Sequence, residues 1–193
     1  MAQNQKTKLP PGQHAASKMI AMPPIGGSYP ELKKEKWKLK VYGAVENPQE
    51  WTWDEFNQLG QENFMVDFHC VTGWSKLDQH FFGVDLKTIM GIVKPTPKAN
   101  FVIFESADGY TTNIPLKEIK ENLAFVALKM DNEDIKTEFG GPARSVVPYL
   151  YAYKSAKFLT GIKFSKQDEL GFWEARGYHN HADPWQEERY SGN

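Results

Sequence analysis

The segment GGPARSVVPYLYAYKSAKFLTGIKF, residues 140–164, combines two predicted strands with two candidate anion-binding features. It begins with the loop Gly140-Gly141-Pro142, where glycine lets the backbone approach a ligand closely. Apolar runs predict short strands at 145–147 and 158–164. The segment therefore predicts β-structure that directly follows a glycine loop.

Arg144 is one of three arginines in a chain that contains 20 lysines. Lysine cannot reproduce the planar, two-pronged grip of a guanidinium on an anion, so an arginine in a chain that favours lysine indicates a specific task. Its place just after the glycine loop favours contact with a ligand. A structural salt bridge is the alternative interpretation.

The sequence Lys154-Ser155-Ala156-Lys157 is a second candidate for anion binding. Its two cations flank a hydroxyl group and main-chain amides, an arrangement that can cradle a phosphate. Four residues make a weak pattern, and a solvent-exposed turn is the simpler interpretation. The glycine patterns of phosphate loops and dinucleotide sites do not occur in the chain.

The single cysteine, Cys70, excludes an internal disulfide and is a candidate for chemistry. It follows a predicted strand, and the segment 72–75 suits a turn. A thiolate at a strand end can act as a nucleophile or as a ligand for a soft metal, whereas a small buried hydrophobe is the alternative. His69 could serve as the base of a thiol enzyme, although adjacent side chains on a strand point to opposite faces. His179-Asn180-His181 has the spacing of a metal-binding pair, without a further ligand cluster nearby.

Short strands and short helices are predicted along the rest of the chain. Strands are predicted at 37–42, 64–68, 101–104, 110–114 and 125–130, and helices from the capping box Thr52-x-x-Glu55 to Leu59, at 84–93, and from Pro115 onward. The strands and helices do not alternate regularly, which predicts an α+β fold with mixed β-sheets. Residues 1–30 are rich in Pro, Gly, Gln and Lys and predict an extended or partly disordered arm, followed by one domain over 31–193.

Composition narrows the classes of function. The chain has 193 residues, of which 40% are hydrophobic, and a net charge of −1. This balance argues against a nucleic-acid-binding protein dominated by phosphate contacts. No apolar run approaches the roughly 20 residues of a membrane span, and the N-terminus lacks the layout of a secretory signal. We therefore expect a cytoplasmic protein.

Four blocks of sequence, taken together, resemble the sulfite oxidase-like molybdopterin-binding oxidoreductases, and in particular their short stand-alone bacterial members. The blocks are DFHCVTGWS at 67–75, ESADGYTTNIPL at 105–116, the segment 140–164, and GFWEARGYHNHADPWQEERY at 171–190. The resemblance runs from about Trp37 to Tyr190. It implies a sulfite oxidase-type molybdopterin-binding fold of the α+β class.

The resemblance also implies roles for individual residues. Cys70 would bond to the metal, and Cys70 and Arg144 would be the catalytic residues. The cofactor would be bound by His69, Cys70, Ser106, Arg144, Ser155, Ala156 and Lys157. Residues near Tyr110 are expected to shape access. Phe139 stands where the family's methionine sulfoxide reductases carry asparagine, so the resemblance does not transfer their substrate.

The implied function is a two-electron oxygen-atom-transfer reaction on a small, possibly sulfur- or nitrogen-containing substrate. The implied cofactor is molybdopterin with molybdenum, and tungsten fits the same dithiolene. Electrons would be exchanged one at a time with a separate donor or acceptor. Two alternatives remain open: a thiol enzyme that uses Cys70, and a catalytically silent interaction module that uses the arm and the aromatic C-terminal stretch.

Overall fold

Two β-sheets and three short helices make up the computed structural model, which describes residues 9–192. The five-stranded sheet has the order β3 (Gln49–Thr52), β2 (Lys38–Gly43), β11 (Leu159–Ser165), β6 (Phe101–Ser106) and β7 (Thr111–Pro115). In this sheet β2 and β11 are parallel and the other pairs are antiparallel.

The six-stranded sheet runs from β1 (His14–Ala15) through β5 (Trp74–Asp85) and β8 (Phe125–Met130) to β10 (Arg144–Val146). Two further strands join it: β4 (Glu62–His69) pairs with β5, and β9 (Glu133–Asp134) pairs with β8. The helices are α1 (Trp53–Asn57), α2 (Leu86–Val93) and α3 (Leu116–Glu121). Mixed sheets with few, short helices confirm the predicted α+β class.

Local sequence signals explain where most elements begin. In β2, Leu39 and Val41 are fully buried while Lys38 and Lys40 are exposed, which confirms the predicted alternation. The predicted capping box opens α1: the Glu55 amide donates to the Thr52 hydroxyl, and the Glu55 carboxylate accepts from the Thr52 amide.

Each of the three helices begins or ends at a different residue than predicted, and most strands are displaced by one or two residues. Helix α1 ends at Asn57 instead of Leu59. Helix α2 begins at Leu86 because Asp85 ends β5, and its carboxylate caps the helix by accepting from the Lys87 amide at 2.7 Å. Pro115 precedes α3 as its N-cap residue and also closes β7.

Strand β5 was not predicted, and the turn predicted at 72–75 is shorter because Trp74 and Ser75 already belong to this strand. Its sequence WSKLDQHFFGVD does not alternate, since Asp78 has a positive φ of 50° and the register shifts between Phe82 and Gly83. Such irregularities break the period of two that identifies a strand from sequence. β5 nevertheless pairs with three other strands and is central to its sheet.

Three hydrophobic clusters form the interior of the described part of the chain, and two of them are large. The larger contains side chains from both sheets, among them Leu39, Val102 and Val126. The smaller is rich in aromatic residues and contains Cys70 together with Phe68 and Trp74. Among residues 9–192, no helix has the length and apolar character needed to cross a bilayer.

The first described residues, 9–30, lie against the domain. Residues His14 and Ala15 form β1, which pairs in parallel with Trp74 and Ser75 at the start of β5. Met19 is buried in the smaller cluster. The remainder of the predicted arm, residues 1–8, falls outside the described part of the chain.

Candidate functional site

A cavity of about 350 Å³ is lined by candidate residues from two distant parts of the sequence. Cys70 and Thr72 contribute from the β4–β5 turn, and Arg144, Ser155 and Lys157 contribute from the 140–164 segment. The volume falls within the range of about 300–1,000 Å³ that is usual for small-molecule and cofactor sites. Most of the lining is apolar or aromatic, so the cavity combines a dry wall with a few polar groups.

Cys70 is presented by the tight turn between β4 and β5. Its amide donates to the Trp74 carbonyl at 2.8 Å, and its carbonyl accepts from the Gly73 amide at 3.0 Å. Gly73 has a φ of 102°, a conformation that glycine adopts at little cost. The Cys70 Sγ lies 3.1 Å from Thr72 Oγ1. The sulfur is thus held at the cavity wall by a defined main-chain geometry.

Arg144 is a buried cation, only 3% exposed, at the start of β10. Its guanidinium donates to main-chain carbonyls, at 2.8 Å to Phe139 and 3.3 Å to Ser155, and its Cζ lies 5.2 Å from the ring centroid of Phe68. No carboxylate among residues 9–192 neutralises it, and burial alone lowers the pKa of Arg144 to about 10. The salt-bridge interpretation is therefore not supported, and the free positive charge fits an anionic ligand.

Lys157 provides a second cation in the cavity wall. Its ammonium donates to the Glu138 carbonyl at 3.1 Å and to the Met22 carbonyl. Burial and the nearby charge of Arg144 lower the pKa of Lys157 to about 8. The charge of Arg144 disfavours protonation of Lys157, so an anion placed between the two cations would stabilise both of them.

Ser155 and Ala156 lie between the two lysines but differ in their orientation. Ser155 lines the cavity; its hydroxyl accepts from the Val147 amide at 2.9 Å and keeps its own proton to donate. Ala156 is fully buried and is not among the lining residues, and its amide already donates to the Ser145 hydroxyl at 2.7 Å. Only part of the predicted phosphate cradle therefore faces the cavity.

His69 and Ser106 are not brought into the cavity wall. The His69 ring faces away from it: Nδ1 lies 2.8 Å from Ser75 Oγ, and the Trp185 ring packs edge-on at 6.3 Å between centroids. Burial lowers the pKa of His69. The buried Ser106 hydroxyl has no hydrogen-bond partner among the described residues, so it has a donor to offer.

The predicted pairing of His69 with Cys70 in a thiol enzyme receives no support from this geometry. His69 Nδ1 contacts Ser75 whereas Cys70 Sγ contacts Thr72, as expected for neighbours that point to opposite sides of a strand. The H-x-H pair is occupied as well: His179 and His181 both approach the carboxylate of Glu188. Within 9–192, no cluster of three His, Cys, Asp or Glu side chains could hold a metal by itself.

Two groups of lining residues were not identified from the sequence. One is the stretch 19–25 of the arm, and the other comprises Trp173 and Tyr178 of the C-terminal stretch. Tyr110 also lines the cavity, close to where access was expected to be shaped. The density of aromatic residues after Gly171 was a visible signal, but periodicity could not show which of them face inward.

The donor set of the cavity fits a molybdopterin cofactor. Arg144, which has no carboxylate counter-ion among residues 9–192, suits an anionic group that bears a phosphate, together with Lys157 and the Ser155 hydroxyl. The Cys70 thiol supplies a soft ligand of the type that molybdenum and tungsten accept, and the apolar lining suits a flat ring system. The residues present are therefore compatible with the group that the sequence resemblance implies.

Comparisons with known proteins agree with this assignment. The family model described as the oxidoreductase molybdopterin binding domain matches residues 26–173. The chain is 36% identical over 188 residues to the uncharacterized oxidoreductase YuiH of Bacillus subtilis, with 97% of this chain and 94% of that protein aligned.

More distant relatives are named for their activities. The chain is 27% identical over 158 residues to the catalytic subunit MsrP of the protein-methionine-sulfoxide reductase of Campylobacter jejuni, which covers 73% of this chain and 53% of that protein, so it spans about half of the reductase's length. The structure of the sulfane dehydrogenase SoxCD from Paracoccus pantotrophus superposes with a TM-score of 0.66 at 18% identity, covering 73% of this chain and 41% of that one. At this identity, the similarity to SoxCD supports the fold alone.

The match over most of the chain, the fold and the composition of the cavity lead to the same conclusion. The predicted resemblance is confirmed: this chain belongs to the family of oxidoreductases that contain the molybdopterin-binding domain.

Proposed function

We propose that this oxidoreductase is a molybdenum enzyme that transfers an oxygen atom to or from a small substrate in a two-electron reaction. The observation that carries the proposal is the placement of the chain's single thiol and a buried, uncompensated arginine in one cavity of about 350 Å³. When bound, the cofactor supplies a metal that accepts or releases two electrons and an oxo group. Tungsten would satisfy the same sulfur ligands.

In this proposal the protein's own residues bind and orient the cofactor. Cys70 holds the metal through its sulfur, which the β4–β5 turn fixes at the wall. Arg144 and Lys157 bind the anionic part of the cofactor, and Ser155 donates its hydroxyl proton to it. The aromatic wall excludes water from the reacting centre, which strengthens the electrostatic interactions inside.

The charges of the cavity favour an uncharged substrate. Of the described residues, Arg144 and Lys157 are the cations that line it, and both are assigned to the cofactor. The lining also includes the acids Asp108 and Glu138, so no positive charge is left over for an oxyanion.

The two remaining arginines are engaged elsewhere. The Arg176 guanidinium stacks 3.6 Å from the ring centroid of Phe172, and Arg189 donates to the carbonyls of Val71 and Pro11. Neither is among the residues that line the cavity. A neutral oxygen donor or acceptor, such as a sulfoxide or an N-oxide, therefore fits this site better than a dianion.

A separate one-electron carrier is the proposed redox partner, because residues 9–192 contain no cluster of three or more His, Cys, Asp or Glu side chains that could hold a second redox metal. We also propose that the protein works in the cytoplasm. A single cysteine cannot form the internal disulfides that secreted proteins often carry, which favours this compartment.

The decisive experiment is to measure the metal and pterin content of protein purified from a host that synthesises molybdopterin. We expect close to one metal and one pterin per chain, and loss of the metal in the Cys70→Ser variant with the fold retained. Thr72→Val is the matched variant, because it removes the hydroxyl beside the sulfur but keeps the thiol; it should retain the metal. A folded wild-type protein without pterin, even after reconstitution, would refute the proposal and favour a non-catalytic interaction module.

A further inference from the structure

The described part of the N-terminal arm, residues 9–30, forms one side of the cavity. Seven consecutive residues, from Met19 to Ile25, line it together with the candidate cofactor-binding residues. Met19 and Pro24 are buried, whereas Ile20 and Met22 are 43% and 39% exposed. The arm therefore separates the cavity from solvent with a single layer of chain.

One end of the arm is attached to the main chain of the candidate metal ligand. Gln13 donates through Nε2 to the Cys70 carbonyl at 3.1 Å and accepts through Oε1 from the Ser75 hydroxyl at 3.2 Å. Ser75 Oγ in turn lies 2.8 Å from His69 Nδ1. One arm side chain thus contacts both branches of the β4–β5 turn that presents the sulfur.

The middle of the arm is attached to a candidate phosphate ligand. The Lys157 ammonium donates to the Met22 carbonyl, and the same ammonium donates to the Glu138 carbonyl at 3.1 Å. Arm residues therefore contact both ends of the site: the Cys70 turn through Gln13 and the cationic end through Met22.

The attachment of the arm is slight in comparison with that of the sheets. Strand β1 contributes two residues, with main-chain bonds from the His14 amide to the Gly73 carbonyl at 2.9 Å and from the Ala16 amide to the Ser75 carbonyl at 2.8 Å. Segments with few buried contacts open at a lower free energy than the global unfolding of the protein. We therefore expect the arm, including the two residues of β1, to detach at a lower free energy than the other strands of the two sheets.

We propose that the arm is a closing wall of the cofactor site and that Gln13 is a positioning residue for Cys70. The cofactor enters while the arm is detached, and the docked arm then retains it. The bound cofactor in return stabilises the docked arm, because a ligand favours the state that binds it more tightly. This inference rests on the proposed function in one respect, the identity of the ligand as molybdopterin.

The first test is hydrogen–deuterium exchange of the full-length chain with and without its cofactor. We expect the amides of residues 13–25 to exchange at least about tenfold more slowly in the loaded protein, while those of the distant strand β3 exchange at the same rate in both states. Equal exchange of the arm in the two states would overturn the proposal.

The second test is the Gln13→Ala variant in the full-length chain. We expect the loaded variant to lose pterin about tenfold faster than the wild type, and its cysteine-to-metal charge-transfer absorption to shift, because the hydrogen bond to the Cys70 carbonyl is gone. Gln58→Ala, which changes an exposed glutamine after α1, is the matched control and should behave like the wild type. Wild-type retention and an unshifted absorption in Gln13→Ala would refute the positioning role.

The outcomes separate this inference from the proposed function. A wild-type chain that never carries pterin would overturn both. A wild-type chain that carries pterin, with an arm that is indifferent to it, would overturn the role of the arm alone.

Discussion

Lys154 and Glu174 form an ion pair that is sealed from solvent: Nζ lies 2.6 Å from Oε1, and the two side chains are 1% and 0% exposed. The Lys154 ammonium also donates to the main-chain carbonyl of Asn113 at 2.9 Å, and the Thr112 hydroxyl donates to the same Glu174 oxygen at 2.7 Å. The pair therefore links β7 to two short 3-10 helices, Ala152–Lys154 and Glu174–Arg176. Aromatic side chains in and beside these helices line the cavity.

Removing one partner of this pair should destabilise the protein strongly. In Lys154→Met the Glu174 carboxylate is left buried without a counter-ion, which costs about 3–5 kcal/mol in the free energy of unfolding. The double variant Lys154→Met/Glu174→Leu should recover most of that loss, since both charges are gone. Chemical denaturation measures the effect. Lys38→Met, which breaks an exposed pair of similar length with Glu50, is the control and should change stability far less.

Replacing Arg144 should weaken cofactor binding and leave the stability of the cofactor-free protein almost unchanged. Arg144→Met removes a buried charge that no carboxylate among residues 9–192 compensates, so we expect the stability of the cofactor-free protein to change by less than about 1 kcal/mol. Pterin content should fall sharply in the same variant and partly recover in Arg144→Lys, which keeps the charge without the planar fork. An Arg144→Met protein with full pterin content would remove Arg144 from the binding site.

Lys157 should make the stability of the cofactor-free protein depend on pH. Its pKa of about 8 in the folded protein lies below the ordinary value of 10.5, so between pH 8 and 10 the unfolded chain binds more protons than the folded one. The free energy of unfolding should therefore rise with pH in that window, because the penalty for burying the charged ammonium disappears.

The Lys157→Met variant provides the control for that pH dependence. It should lack the portion of the rise that the wild type shows between pH 8 and 10, and it should be the more stable of the two below pH 8. The carboxylates of Asp108 and Glu138 face Lys157 and oppose the shift, while Arg144 reinforces it. Denaturation curves that coincide for both proteins across the window would contradict the burial of this charge.

Substrate preference should follow the charge of the compound. With Arg144 and Lys157 bound to the cofactor, we expect kcat/KM for dimethyl sulfoxide or trimethylamine N-oxide to exceed that for oxyanions that are reduced in the same direction, such as nitrate, by at least about tenfold with the same electron donor and equal ionic strength. Quenching of the fluorescence of Trp173, which lines the cavity, offers a binding measurement that is independent of turnover. Preference for the oxyanions would show that a cation remains available to substrate.

Sequence signals sufficed where a local pattern causes a local structure. The alternation in β2 arises because Leu39 and Val41 face the core and the intervening lysines face water, and the Thr52–Glu55 capping box is complete within one turn of helix. Arginine at position 144, in a chain that favours lysine, indicated an anion site, and the structure shows this residue buried with no carboxylate partner within 9–192. Strand β5 escaped prediction because its bulge and positive φ erase the period of two.

The amino-acid sequence by itself determined the family, the α+β class and the candidate residues Cys70, Arg144, Ser155 and Lys157, because their identities and order along the chain carry that information. Only the tertiary structure decided which of the candidates share one cavity. In the folded protein the His69 ring contacts Ser75, and the Ala156 amide donates to the Ser145 hydroxyl. Residues 19–25 line the same cavity as Lys157, which is more than 130 positions away in the sequence. These outcomes depend on how β1, β5 and the 140–164 segment pack together, and contacts between distant residues leave no period in the sequence that could reveal them.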